Sequence, residues 1–291
     1  MQATLAMKIG INLLLWTAHV GSEHFPLFAK LKSVGYDGIE LPIMDASDPG
    51  HFALVGRVAR DHGLACTAST ALIGDRGDPR SADPAERQLA CDYLLRVVEC
   101  AHNAGAGLLI GPLYQVLGRF TGEGPNQTEL GRAADVHRQV AAFAQTAGVR
   151  CAIEPLNRFE AHLINTMEQA SEYVQRVDHA FLGAMHDTFH AHIEEKDPVA
   201  SVATLYATGK LFHIHISEND RGTPGRGHAK LRPTIGMLKS LGYDQWLTIE
   251  AFGRSLPALA SATRIWRSTF RDEEQVYTEG YRLIRDAWDI C

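Results

Sequence analysis

Apolar residues recur along this chain in two rhythms that take turns. Short, nearly continuous apolar runs at 8–15, 37–42, 64–69, 107–111, 150–154, 181–187, 211–216 and 246–250 read as buried strands. Between them lie amphipathic stretches that open with helix-start signals. Asp48-Pro49 precedes "GHFALVGRVARDHG", an N-cap with proline at the first helical position, and Asp83-Pro84 repeats the device. Thr166, with Gln169 three residues on, fits a capping box ahead of "ASEYVQRV". Gly35, Gly63 and Gly148 each stand just past an apolar helical stretch, where a left-handed cap is wanted.

Strands alternating with helices in this way build either a (β/α)8 barrel or a doubly wound sheet. No G-x-G-x-x-G follows the first strand and no G-x-x-x-x-G-K-[ST] occurs anywhere, so the usual signatures of a nucleotide-binding sheet are missing. No low-complexity linker divides the chain. The pattern predicts an α/β fold, a single (β/α)8 TIM barrel domain over 1–291, with the active site at the C-terminal ends of strands 5–8.

Composition narrows the function. A 45% hydrophobic and 21% charged chain is that of a soluble globular protein. The net charge of −6, with no long basic run, argues against a nucleic-acid partner. The apolar stretch in "MQATLAMKIGINLLLW" is too short for a membrane span and reads as the first strand after a few frayed residues, so no membrane association is expected. Cys66, Cys91, Cys100, Cys151 and Cys291 are scattered and never form a C-x-x-C pair. That usage fits a reduced, cytoplasmic protein whose cysteines serve as small buried residues.

The candidate chemistry lies where strands finish. "CAIEPLNRFE" stops an apolar run on Glu154, with Pro155 forbidding its extension. The sixth run ends at Asp187, with His190 just beyond it. In "LFHIHISENDR" strand alternation puts His213 and His215 on one face, with Arg221 in the loop after them. The eighth run ends at Glu250. A lone strand-end carboxylate usually caps the next helix or pairs with an arginine, and Arg158 is the obvious partner for Glu154. A lone histidine is usually surface or core. Four such residues on four successive strand ends point elsewhere, because three convergent carboxylates repel unless a cation or shared protons intervene. Glu154, Asp187, His215 and Glu250 are therefore expected to bind a divalent metal. Mn²⁺ leads, with Mg²⁺ or Co²⁺ possible and zinc less suited, since no thiolate is offered.

Other residues carry weaker signals. His213 reads as a supporting or packing residue behind His215. "RGTPGRG" at 221–227 has the glycines and arginines of a phosphate cradle, but an irregular active-site loop explains the glycines better. Arg221 follows the ligand strand closely enough to face the same site. Trp16 and Phe252, beside the ends of the first and eighth strands, are either core aromatics or the apolar wall on which a sugar stacks.

Taken together, "IEPLNRFE", "HDTFHAHIEE", "HIHISENDRGTPGRG" and "IEAF", with the opening "KIGINLLLWTAHV…GYDGIELPIMD", resemble the ketose 3-epimerases. That group comprises D-tagatose, D-allulose (psicose) and L-ribulose 3-epimerases of the xylose isomerase-like barrel superfamily. The likeness spans nearly the whole chain. It implies an isomerase that inverts C3 of a free ketose through an enediolate. Glu154 and Glu250 are then the catalytic acid–base pair as well as ligands, and Glu160, His190 and Arg221 contact the sugar near its first three oxygens. A homodimer or homotetramer is implied in the same way. A 1,2-isomerase or dehydratase on the same scaffold, of hydroxypyruvate isomerase or inosose dehydratase type, is the alternative within catalysis. A DNA-repair endonuclease of this superfamily would want more ligands and a basic surface. A sugar-binding protein without activity would have no need of both carboxylates.

Overall fold

Each apolar run becomes a strand because its backbone pairs on both sides and its side chains are covered on both faces. The computed structural model describes residues 7–290; the leading residues 1–6 and Cys291 lie outside the described residues. The strands are β1 Lys8–Asn12, β2 Gly38–Pro42, β3 Ala65–Ser69, β4 Leu108–Gly111, β5 Arg150–Ile153, β6 Leu182–Asp187, β7 Leu211–Ile216 and β8 Trp246–Ile249. All pair in parallel with their sequence neighbours, and β1 pairs with β8 to close the barrel. The helices are α1 Phe25–Val34, α2 Pro49–Asp61, α3 Pro84–Asn103, α4 Gln127–Ala147, α5 Met167–Val177, α6 Thr188–Glu194, α7 Ser201–Tyr206, α8 Leu231–Ser240, α9 Pro257–Ala262 and α10 Glu273–Ile290. The (β/α)8 TIM barrel expected from the pattern is the fold.

Local signals act as their chemistry requires. The Asp48 side chain accepts the His51 N–H at the start of α2, and Asp83 accepts that of Ala85 at the start of α3. Thr166 and Gln169 close a reciprocal box on α5. Gly148 ends α4 at φ +68°, left-handed as expected. Asn126 and Glu129 form a further capping box, on α4. The first strand is shorter than its apolar run: it stops at Asn12, whose side chain accepts the Leu14 N–H at 2.8 Å and turns Leu13–Leu15 into a 3-10 segment. At the end of β4, Gly111 has φ +138°, and a Cβ there would sit 1.9 Å from the Thr70 carbonyl, so only glycine fits. No helix among the described residues is long and apolar enough to cross a membrane.

The hydrophobic core lies mainly between the barrel and its helices, with Phe28, Leu31, Tyr36, Val97 and Ile284 fully or almost fully buried. The barrel interior is apolar only at the level of Leu108, Ile110, Ala152, Met185 and Phe212. Toward the C-terminal ends of the strands it turns polar.

Candidate metal centre

The polar level begins where the ladders end. Glu154 N–H still donates to the Gly111 carbonyl at 2.8 Å and Glu250 N–H to that of Ile216 at 3.3 Å, so each carboxylate stands on backbone fixed by the barrel. A register irregularity between Ala184 and Met185 sets Asp187 directly opposite His215. One ligand atom each from Glu154, Asp187, His215 and Glu250 lies within 4.8 Å of the others, and all four residues are buried.

His215 orients this group. Its Nε2 is 2.7 Å from Glu40 Oε1, while its Nδ1 is 3.4 Å from Glu250, 3.6 Å from Asp187 and 3.9 Å from Glu154. Nδ1 is buried and has no hydrogen-bond partner. An orphaned nitrogen facing three carboxylate oxygens among buried residues is a donor set that suits a divalent cation. Without one, protons do the moderating. Burial and the Glu250 carboxylate push Glu154 well above the usual carboxylate range. Burial opposes a charge on His215, but Glu250 and Glu40 hold its imidazole well above the ordinary histidine value. Burial likewise opposes ionisation of Asp187, yet the Arg221 guanidinium keeps it well below its usual range.

Arg221 closes the site from the loop after β7. Its Nη1 donates to Asp187 at 3.0 Å, to Glu250 Oε2 at 2.6 Å and to Ser217 Oγ at 3.0 Å, and Nη2 lies 2.9 Å from His190 Nε2. The guanidinium is sandwiched between the rings of Phe189 (3.9 Å) and Phe252 (4.9 Å). Arg221 itself adopts φ +60°, a left-handed conformation held by bonds from its N–H to Glu218 and from Phe252 N–H to its carbonyl, both 2.9 Å.

The other expected residues fall as follows. His190 is buried, and its Nδ1 receives the Asn157 backbone N–H at 3.0 Å. The Asn157 side chain also reaches Glu160 at 2.7 Å, so Glu160, His190 and Arg221 form one connected group beside the four candidate ligands. Phe252 is buried against Leu14, Ala260 and Ile265. Trp16 is half-buried, packed against the core with its ring 6.1 Å from that of Tyr277, and no hydrogen bond ties it to the centre. Arg158 is not the partner of Glu154; it is exposed and pairs with Glu194 at 2.9 Å. In the 221–227 loop the buried Glu218 takes the N–H groups of Gly225 and Ala229, both at 2.8 Å, and Arg226 pairs with Glu279. The irregular loop is what forms, and its Gly225 amide is already in use.

Asn157, Ser217 and Phe189 were not singled out by the sequence, and neither were two buried residues deeper in the barrel. Glu40 and Asn12 lie just behind His215 and Glu250. The available signal was the charge inside the apolar "GIELP" of β2, where Glu154 instead closes its run.

Comparison with known proteins follows the same line. The sequence pattern of the xylose isomerase-like TIM barrel family matches residues 28–287. A ketose 3-epimerase of Arthrobacter globiformis is 31% identical over 96% of both chains. An L-ribulose 3-epimerase of Mesorhizobium japonicum is 33% identical over 91% of this chain and 89% of its own. A solved structure of an L-ribulose 3-epimerase superposes with a TM-score of 0.89 at 28% identity, covering 98% of this chain and 95% of that one.

Proposed function

The chain belongs to the xylose isomerase-like TIM barrel family, among its ketose 3-epimerases, and from that premise we propose that it inverts C3 of a free ketose with a divalent cation held by Glu154, Asp187, His215 and Glu250. The observation that carries the reading is the orphaned Nδ1 of His215 facing three carboxylates. Mn²⁺ is the ion the oxygen-rich donor set favours, with Mg²⁺ or Co²⁺ as substitutes. When bound, the cation would act as a Lewis acid on the ketose and stabilise the negative charge that develops at O2 and O3.

The protein's own groups do the rest. Epimerisation removes the proton on C3 and returns one from the opposite face. Glu154 and Glu250 come from strands β5 and β8, on two sides of His215, and so can serve opposite faces as base and acid. Arg221 and His190 are placed to meet the oxygens around C2, Arg221 with its orientation fixed by two aromatic rings. Glu160, held by Asn157, can accept a hydrogen bond from the O1 hydroxyl. Phe252, and Trp16 just past the 3-10 segment that follows β1, supply apolar surface for the sugar's C–H faces. The engaged Gly225 amide and the Arg226–Glu279 pair leave no preformed phosphate cradle in the 221–227 loop, which favours free sugars such as D-allulose, D-fructose, D-tagatose or L-ribulose.

Turnover in D₂O tests the reading. The epimerised ketose should carry deuterium at C3 and none at C1, activity should vanish on EDTA dialysis, and Mn²⁺ or Co²⁺ should restore it. Deuterium at C1 would mean a 1,2-isomerase instead. Higher kcat/KM for a ketose phosphate than for the free sugar would reverse the substrate assignment.

A further inference from the structure

Behind the metal centre, on the side of β1–β3, a second polar layer fills the barrel. Asn12, Glu40 and Thr67 are register partners on three adjacent strands, and all are buried. Glu40 has no solvent exposure, which for a carboxylate is costly unless its lone pairs are filled. Its Oε1 accepts from His215 Nε2 at 2.7 Å and from Asn12 Nδ2 at 3.0 Å. Its Oε2 accepts from Thr67 Oγ1 at 3.0 Å and lies 3.0 Å from His213 Nε2. Asn12 and Thr67 donate to Glu40, while His213 Nε2, although close, makes no hydrogen bond. A cation would require the neutral imidazole, which has one N–H, and a carboxylate can only accept, so in that form the proton of His215 must sit on Nε2. That leaves the lone pair on Nδ1, the atom turned toward Glu154, Asp187 and Glu250. Asn12 extends the same control. Its Oδ1 is engaged by the Leu14 N–H, so its amide cannot turn over without losing that bond, and its Nδ2 also reaches Glu250 Oε1 at 3.2 Å.

We propose that Glu40 is a positioning residue for the metal centre, holding His215 in the tautomer and orientation that makes Nδ1 a ligand, while Asn12 ties that same carboxylate to Glu250. The proposal rests on the metal reading above. Glu40 with His213 and His215 also has the composition of a cation site of its own. The hydrogen bonds from Asn12, Thr67 and His215 account for both oxygens of Glu40 without one.

Glu40→Gln is the direct test. A glutamine there must aim its NH₂ at a neighbour, and of the groups facing Glu40 the imidazoles and the Thr67 hydroxyl can accept it. Either His215 gives up Nε2–H, or it keeps that proton against a neutral carbonyl that holds it less firmly than the carboxylate did. Mn²⁺ affinity, read from the EPR signal of free Mn²⁺, is expected to fall about 10- to 100-fold in E40Q, the usual effect of removing such a partner. E40D, which keeps an acceptor, should regain part of it. The thermal midpoint of the metal-free proteins is measured alongside. A lowered midpoint with Mn²⁺ affinity within threefold of the parent would show a purely structural role and overturn the proposal. Stoichiometry separates the second-site reading: one Mn²⁺ per chain is expected, whereas two, with one lost in E40Q, would overturn it. A parent protein that binds no Mn²⁺ would overturn this proposal and the metal reading together. Should E40Q not fold, Asn12→Ser carries the test, since its hydroxyl can still receive the Leu14 N–H while the link to Glu40 and Glu250 is lost. An affinity loss of at least threefold supports the proposal, and an unchanged affinity overturns it.

Discussion

Glu154 and Glu250 face one site from unlike surroundings. Glu250 receives Asn12 on one oxygen and Arg221 on the other, whereas no described residue donates a hydrogen bond to the Glu154 carboxylate. Burial and Glu250 therefore push the Glu154 carboxyl upward, and in the metal-free protein its ionisation is a source of instability. The sign follows: a raised native value favours the protonated form, so this strain is present at neutral pH and relieved as the pH falls. Glu154→Gln imitates the protonated acid and should leave the metal-free thermal midpoint at or above the parent's. Glu250→Gln breaks the Arg221 pair and should lower it by several degrees, by analogy with breaking a buried ion pair. Both should cost epimerisation at least ~10²-fold, with metal content measured in each. A metal-loaded variant of either kind that turns over at the parent rate would remove the two-carboxylate mechanism. The cluster of Glu154, Asp187 and Glu250 was legible in the sequence because each closes an apolar run. Glu40 was not, because a charge within a run gives no clue to its partners until Asn12, Thr67 and His215 are brought round it by barrel closure.

At the scale of elements, the two readings of a strand-end carboxylate coexist in Asp187. Its Oδ1 accepts the N–H groups of Phe189 (2.6 Å) and His190 (3.4 Å) and so caps α6, while Oδ2 faces His215 and Arg221. The cap fixes the rotamer that the centre needs. Asp187→Asn separates the tasks, since asparagine caps as well as aspartate but brings no charge. D187N should keep the parent's far-UV circular dichroism and lose Mn²⁺ affinity at least ~10-fold, whereas D187A should in addition lose about 1 kcal/mol of stability with the cap. Equal stability of the two variants in chemical denaturation would mean that the cap contributes nothing. The element pattern was legible for the same local reasons: Asp48, Asp83 and the Thr166–Gln169 pair act through atoms two or three residues away. The overrun of β1 to residue 15 came from Leu13–Leu15 being apolar in either conformation. Only the side chain of Asn12, bonding its own backbone two residues on, chooses the turn.

At the scale of the molecule, the barrel keeps its shape while most residues differ from those of a related enzyme, with a TM-score of 0.89 at 28% identity. Besides its apolar core, buried polar ties between layers hold this shape. His137 on α4 is one of these. Its Nε2–H donates to the Leu113 carbonyl beyond β4 at 3.0 Å, and its Nδ1 accepts the hydroxyl of Tyr173 on α5 at 2.7 Å. Both nitrogens are used by the neutral ring, and burial lowers its pKa to about 4. An unfolded histidine titrates near ~6.5. Above that value the ring is neutral in both states and the native contacts count in full. As the pH falls from about 6.5 to about 4 the unfolded chain takes up a proton that the native state refuses, and stability is lost; below about 4 the loss levels off. The span amounts to roughly 3 kcal/mol. His137→Gln can donate to Leu113 and accept from Tyr173 without titrating. In metal-free protein, so that ligand protonation adds no metal-linked slope, urea denaturation should find H137Q somewhat less stable than the parent at pH 7.5. The difference should shrink or reverse by pH 4.5. A stability difference that stays constant across that range would mean that His137 is not protonated on acid unfolding, and that the acid sensitivity of the fold lies in its carboxylates instead.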